Sequence, residues 1–106
     1  MPLTHDFNET IRARAQRDPD FRQALLCEAA DCVINGELKT GRAVLRDYVN
    51  ATVGFQDLER RTHIPAKSLM RMLGPSGNPQ ADNLFAVVSF LQRHEGVRFQ
   101  LKAASR

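Results

Sequence analysis

Apolar residues recur at every third or fourth position through most of this 106-residue chain, the spacing that lays one apolar stripe along a helix. Asp6 and Glu9 are spaced as a capping box, which predicts a first helix from Asp6 through about Gln16. Asp18-Pro19 supplies a cap and a first-turn proline for a second helix, and Asn35-Gly36 stops it. Phe21, Leu25, Ala29 and Cys32 fall on its apolar face, and Cys27 lies nearer the rim. A third helix, from about Glu37 to Ala51, sets Leu38, Gly41, Val44, Leu45, Tyr48, Val49 and Thr52 against Lys39, Arg42, Arg46 and Asp47 on the outside. These helices complete the core of the C-terminal half, extend into a dimer or hold a partner protein, and the pattern alone does not choose among the three.

The stretch Phe55–Pro79, FQDLERRTHIPAKSLMRMLGPSGNP, reads as two short helices joined by a tight turn. Phe55, Leu58 and Thr62 share one face of the first, and Leu69, Met72 and Leu73 share one face of the second. Thr62-His63-Ile64 is the turn, Pro65 suits the opening of the second helix, and Gly74-Pro75 ends it. This is the pattern of a helix-turn-helix, whose second helix enters the DNA major groove. With Leu69, Met72 and Leu73 inward, the outward face is expected to carry Ala66, Lys67, Met70 and Arg71, with Ser68 at its edge. Lys67 and Arg71 are one turn apart and long enough to reach base edges, while Met70 and Ala66 suit a thymine methyl. The same arrangement also describes an ordinary solvated helix with two basic residues. Arg60 and Arg61 on the first helix are candidate phosphate contacts.

Asn78-Pro79 reads as an N-cap and first-turn proline of a further helix running to about Arg93, so Asn78, Gln80 and Ala81 are further candidates for phosphate contact. Such caps are also commonly structural. That helix is expected to bury Ala81, Leu84, Val88 and Leu91, to flank them with Phe85 and Val87, and to leave Phe90 pointing away. Beyond it, positions 97–102 alternate apolar and polar as a strand does. No other segment reads as a strand, and a lone strand leaves its backbone groups unpaired. Pairing with a second copy resolves this, making Phe90, Val97, Phe99 and Leu101 candidate dimer contacts and a homodimer the expected state. Two recognition helices about one DNA turn apart then read a palindromic operator. The alternative is that the strand adds to a sheet edge of another protein.

From about Phe55 to Leu101 the chain resembles the Xre-type helix-turn-helix regulators, in particular the small branch of addiction-module antidote proteins related to the HigA-like antitoxins. The residues that carry the resemblance are Asp57-Leu58, Ser68-Leu69 and the triplet Gly77-Asn78-Pro79, then Leu84, Val87, Val88 and Leu91. The chain departs from the family pattern at Glu59, where a small residue is usual, and at His63, where glycine is usual. It departs again at Ala66-Lys67 and at Met70. The resemblance implies a mostly α, five- to six-helix, lambda-repressor-like domain with a short C-terminal strand. It also implies repression of the protein's own operon and binding of a co-encoded RelE-like toxin.

Composition refines this picture. The chain is long enough for one modest core and is expected to be a single domain over 1–106, with N-terminal helices at 6–53, the helix-turn-helix unit at 54–94 and the strand at 97–102. A net charge of +3, with twelve of fifteen basic residues arginine, is compatible with a nucleic-acid partner. No apolar run reaches the ~20 residues that span a bilayer. The N-terminal stretch also lacks a signal-peptide apolar segment, so a cytoplasmic protein is expected. Cys27 and Cys32, on one predicted helix, lie farther apart than the ~7 Å between Cα atoms that a disulfide tolerates. The three histidines have no metal-ligand spacing and no phosphate loop or nucleophile elbow occurs, so neither enzyme activity, metal nor cofactor is expected. Two other readings remain, a module that neutralises a partner enzyme with DNA binding secondary, and a purely structural helical oligomer.

Overall fold

The computed structural model describes the backbone of residues 2–105 and the side chains of residues 9–105. Among these residues six helices follow one another: α1 Pro2–Arg17, α2 Pro19–Ile34, α3 Leu38–Ala51, α4 Phe55–Thr62, α5 Ala66–Met72 and α6 Ala81–Glu95. Among the described residues there is no strand, so the mostly α class holds and the expected C-terminal strand is not shown. None of the helices among the described residues is long and apolar enough to cross a membrane.

The punctuation around α2 acts as its residue types require. Asp18 stands at the N-cap and its carboxylate accepts the Phe21 N–H at 3.2 Å, with Pro19 in the first turn where no N–H is missed. The start of α1 differs from expectation, because the helix already runs through Asp6; the side-chain half of the proposed Asp6 cap lies outside the described residues. In α2, Leu26 rather than Leu25 is fully buried with Ala29 and Cys32. In α3, Leu38 is exposed at the helix start instead of joining the stripe of Gly41, Leu45, Tyr48 and Val49.

A single core joins the two halves of the chain. Leu26 and Ala29 of α2 and Leu45, Tyr48 and Val49 of α3 belong to the same buried cluster as Leu58, Leu69, Leu73, Val87 and Leu91. The N-terminal helices therefore complete the core on which α4 and α5 rest. Each fully buried leucine contributes about 1.5–3 kcal/mol relative to exposure. A polar network ties the same layers together. Tyr48, fully buried, donates its hydroxyl to the Glu95 carboxylate, whose two oxygens also accept from Arg22 Nε at 3.2 and 3.3 Å. The Arg22 guanidinium in turn reaches Ala15 O at 2.8 Å, so α1, α2, α3 and α6 meet at one point. Burial holds the Tyr48 phenol well above its ordinary pKa, and the Glu95 carboxylate raises it further, so it remains a donor.

At the end of α6, Gly96 adopts the left-handed conformation, φ 75°, that favours glycine. The Gly96 N–H bonds Arg93 O and the Val97 N–H bonds Gln92 O at 3.0 Å, a Schellman ending. The Gln92 side chain then accepts the Phe99 N–H at 2.9 Å. Two tail amides on one side of this segment are thus taken by α6 itself. Val97 and Phe99 lie half-buried against the core.

Candidate nucleic-acid interface

The turn between α4 and α5 is short because His63 makes it so. Its φ of 61° and ψ of 24° place it in the left-handed region, the one non-glycine residue with positive φ among the described residues. The His63 N–H still bonds Glu59 O at 2.8 Å, and Thr62 folds its hydroxyl back onto Leu58 O at 2.8 Å. The chain then reverses through Ile64 and the extended Pro65 (φ −55°, ψ 141°) into α5. Leu58, Leu69 and Leu73 are fully buried where the two helices cross, and Met72 nearly so.

Lys67, Met70 and Arg71 project outward on α5, with Met70 46% exposed, and Ser68 sits half-buried at the edge. Ala66 does not join them. It is 6% exposed, because it precedes Leu69 by three residues on the inward stripe and abuts α4. The outward surface of α5 is thus Lys67, Met70 and Arg71, two long cations around one flexible apolar side chain. On α4, Arg60 and Arg61 are both exposed; Arg60 lies 3.5 Å from Asp57 in an ion pair open to solvent, which leaves it free to exchange partners.

A helix of seven residues cannot hold itself together, and α5 has no side-chain cap of its own, since Pro65 stands at its N-cap. Its ends are held by neighbours. Glu59 of α4 accepts the Ala66 N–H at 2.6 Å, a carboxylate placed at the positive end of the α5 dipole. At the other end, Arg46 donates to Leu73 O at 3.2 Å and Arg42 to Gly74 O at 3.4 Å, so two α3 cations meet the carbonyls left over at the C-terminus. Gly77 closes the turn beyond. A Cβ there would lie 2.3 Å from Met72 O and 2.6 Å from Arg71 O, so only glycine lets the chain pass this close to the end of α5.

In the sequence Glu59, Arg42 and Arg46 look like ordinary helix-surface charges, and these three roles are not legible there. The available signal was Pro65, which offers no side-chain acceptor where a helix start needs one.

The start of α6 is displaced from the expected cap. Gln80, in extended conformation with no side-chain cap bond, occupies the N-cap, and Asn78 and Pro79 lie outside the helix. Asn78 precedes a proline, which biases it to extended backbone, and the extended path continues to Gln80. Asn78, Gln80 and Ala81 are all exposed, but of the three only Ala81 belongs to the helix, and the carboxylate of Asp82 already stands in its first turn. Ala81 is exposed where burial was expected, and Val87 is fully buried where a flanking position was expected.

The four candidate dimer contacts do not form one exposed face. Phe90 packs half-buried against the core with its ring centroid 5.8 Å from that of His94, and Val97 and Phe99 are half-buried, while Leu101 is 84% exposed. Of the cysteines, Cys27 is exposed and Cys32 buried, both as free thiols. Burial, with Glu37 and Glu28 beside it, pushes the Cys32 thiol up to about 11, which keeps it protonated and unreactive. No family model, curated protein or solved structure matches the chain.

Proposed function

We propose that this chain is a sequence-specific regulator of transcription that places α5 in the major groove of double-stranded DNA. One observation carries the reading: Lys67, Met70 and Arg71 stand exposed on a short helix whose buried face and two ends are all held from behind. That leaves its outer surface without a hydrogen bond or ion pair among the described residues. A B-DNA major groove admits one helix; Arg71 suits the paired acceptors of guanine, Lys67 a base edge or phosphate, and Met70 a thymine methyl. Arg60 and Arg61 flank the turn as phosphate contacts that set register. Paired in a homodimer, two such helices read a palindromic operator from a cytoplasmic location. Repression of its own operon and neutralisation of a RelE-like toxin are supported by the family resemblance of the Phe55–Leu101 segment.

The test is the double charge reversal Lys67→Glu with Arg71→Glu, assayed on duplex DNA from upstream of the gene. The expected result is a loss of about 100-fold or more in affinity, two contacts at roughly 1–3 kcal/mol each, with thermal unfolding unchanged. Equal binding by both proteins, or no binding by the wild type at low salt, where the phosphate term is strongest, overturns the proposal.

A further inference from the structure

Three of the five large apolar side chains exposed among the described residues, Ile34, Phe85 and Leu101, line one groove of about 660 Å³. Its walls are one face of α2, one face of α6 and the C-terminal tail. Contiguous apolar surface of this kind on a small protein marks a place where something binds. The tail shows what is missing. Val97, Phe99 and Leu101 alternate with polar residues along the tail, and the first two are half-buried against the core. Leu101, on the rim of the same groove, is 84% exposed, while the Gln92 bond to the Phe99 N–H holds the tail along one wall.

Charge selects the occupant. The α2 wall carries Glu28 and Asp31 beside its apolar residues, both exposed, while the tail carries Arg98 and Lys102 beside Leu101. An acidic, apolar groove and a basic, apolar tail are complementary, and each copy of the chain holds one of each. We propose that the groove receives the C-terminal tail of a second copy. Leu101 packs against Ile34 and Phe85, Lys102 lies beside Glu28 and Asp31, and the exchange is made twice about a two-fold axis. A self-complementary patch of this kind closes as a dimer. The contact gives the DNA reading the pairing that a palindrome needs, yet it stands on the groove alone and is tested without DNA, so either proposal can fail by itself.

The experiment is size-exclusion chromatography with light scattering on the full chain, across a range of concentrations. The wild type is expected to be a dimer. Glu28→Lys with Asp31→Lys weakens the dimer by about tenfold, as does Arg98→Glu with Lys102→Glu, since rim charge pairs are individually modest. Combining all four restores it, and circular dichroism shows every variant folded. Cys27 lines the groove as an exposed thiol, so its reaction with a thiol reagent slows as the wild type dimerises. A monomer at all concentrations overturns the proposal. So does a dimer that ignores the charge exchange, or a monomer whose Cys27 is protected by its own tail.

Discussion

Helices α2 and α5 solve the same problem in opposite ways. The sixteen-residue α2 carries its own cap in Asp18, its own first-turn proline in Pro19, and a buried stripe of Leu26, Ala29 and Cys32. The seven-residue α5 has none of its own end groups and relies on Glu59, Arg42, Arg46 and the bare backbone at Gly77. The long helix stabilises the domain, whereas the short one is stabilised by it. In the proposed reading this matters, because a helix clamped at both ends and along its back keeps its outer face free for DNA.

The contrast can be broken first on the side of the long helices. Glu95→Ala leaves the Arg22 guanidinium and the buried Tyr48 hydroxyl without their acceptor. Removing one member of so enclosed a pair costs about 3 kcal/mol, at the low end because Arg22 keeps some solvent contact. The melting temperature is expected to fall by roughly 15 °C. An unchanged melt shows that this network does not hold the four helices.

Next comes the far end of α5. Gly77→Ala forces a Cβ into the Met72 and Arg71 carbonyls, which are backbone and cannot swing aside. The expected cost is about 2 kcal/mol in chemical denaturation, in the range of an overpacked interior.

Glu59 sharpens the comparison at the near end. Glu59→Ala removes the acceptor of the Ala66 N–H and costs about 1 kcal/mol, the loss of an N-cap. Glu59→Gln, whose amide oxygen can still accept, costs less. Hydrogen exchange in Ala66, Lys67 and Ser68 should speed up in the alanine variant and far less in the glutamine variant; equal exchange in both and in wild type removes the idea that α4 caps α5.

The smallest effect has the opposite sign. His63→Gly relieves a side chain held in the left-handed region and is expected to raise stability by about 0.5–1 kcal/mol, the strain gain being partly offset by the freer unfolded chain. A loss of stability there means that the His63 ring makes a contribution larger than its backbone strain.

Much of this architecture is legible residue by residue. Asp18-Pro19 and Asn35-Gly36 bracket α2, His63 marks the turn, and Leu58, Leu69 and Leu73 fall inside by their spacing. The same spacing places Ala66 inside with Leu69, three residues on, rather than on the outward face. The tail is a different case. Its alternation is that of a strand, but alternation states only which side chains face together and is silent on where the amides go. Gln92 decided that.

The sequence by itself determined the six helices' approximate extents, the tight turn and the basic, apolar character of the α5 surface, because periodicity, caps and positive-φ positions act over a few residues. Only the tertiary structure decided what holds α5, where the tail lies and how the N-terminal helices serve the rest. Those outcomes depend on groups distant along the chain, Arg46 from Leu73 or Arg22 from Glu95, and which of many equivalent acceptors a side chain meets is settled by packing. A carboxylate such as Glu95 looks like any other solvated residue until the fold surrounds it with a phenol and a guanidinium.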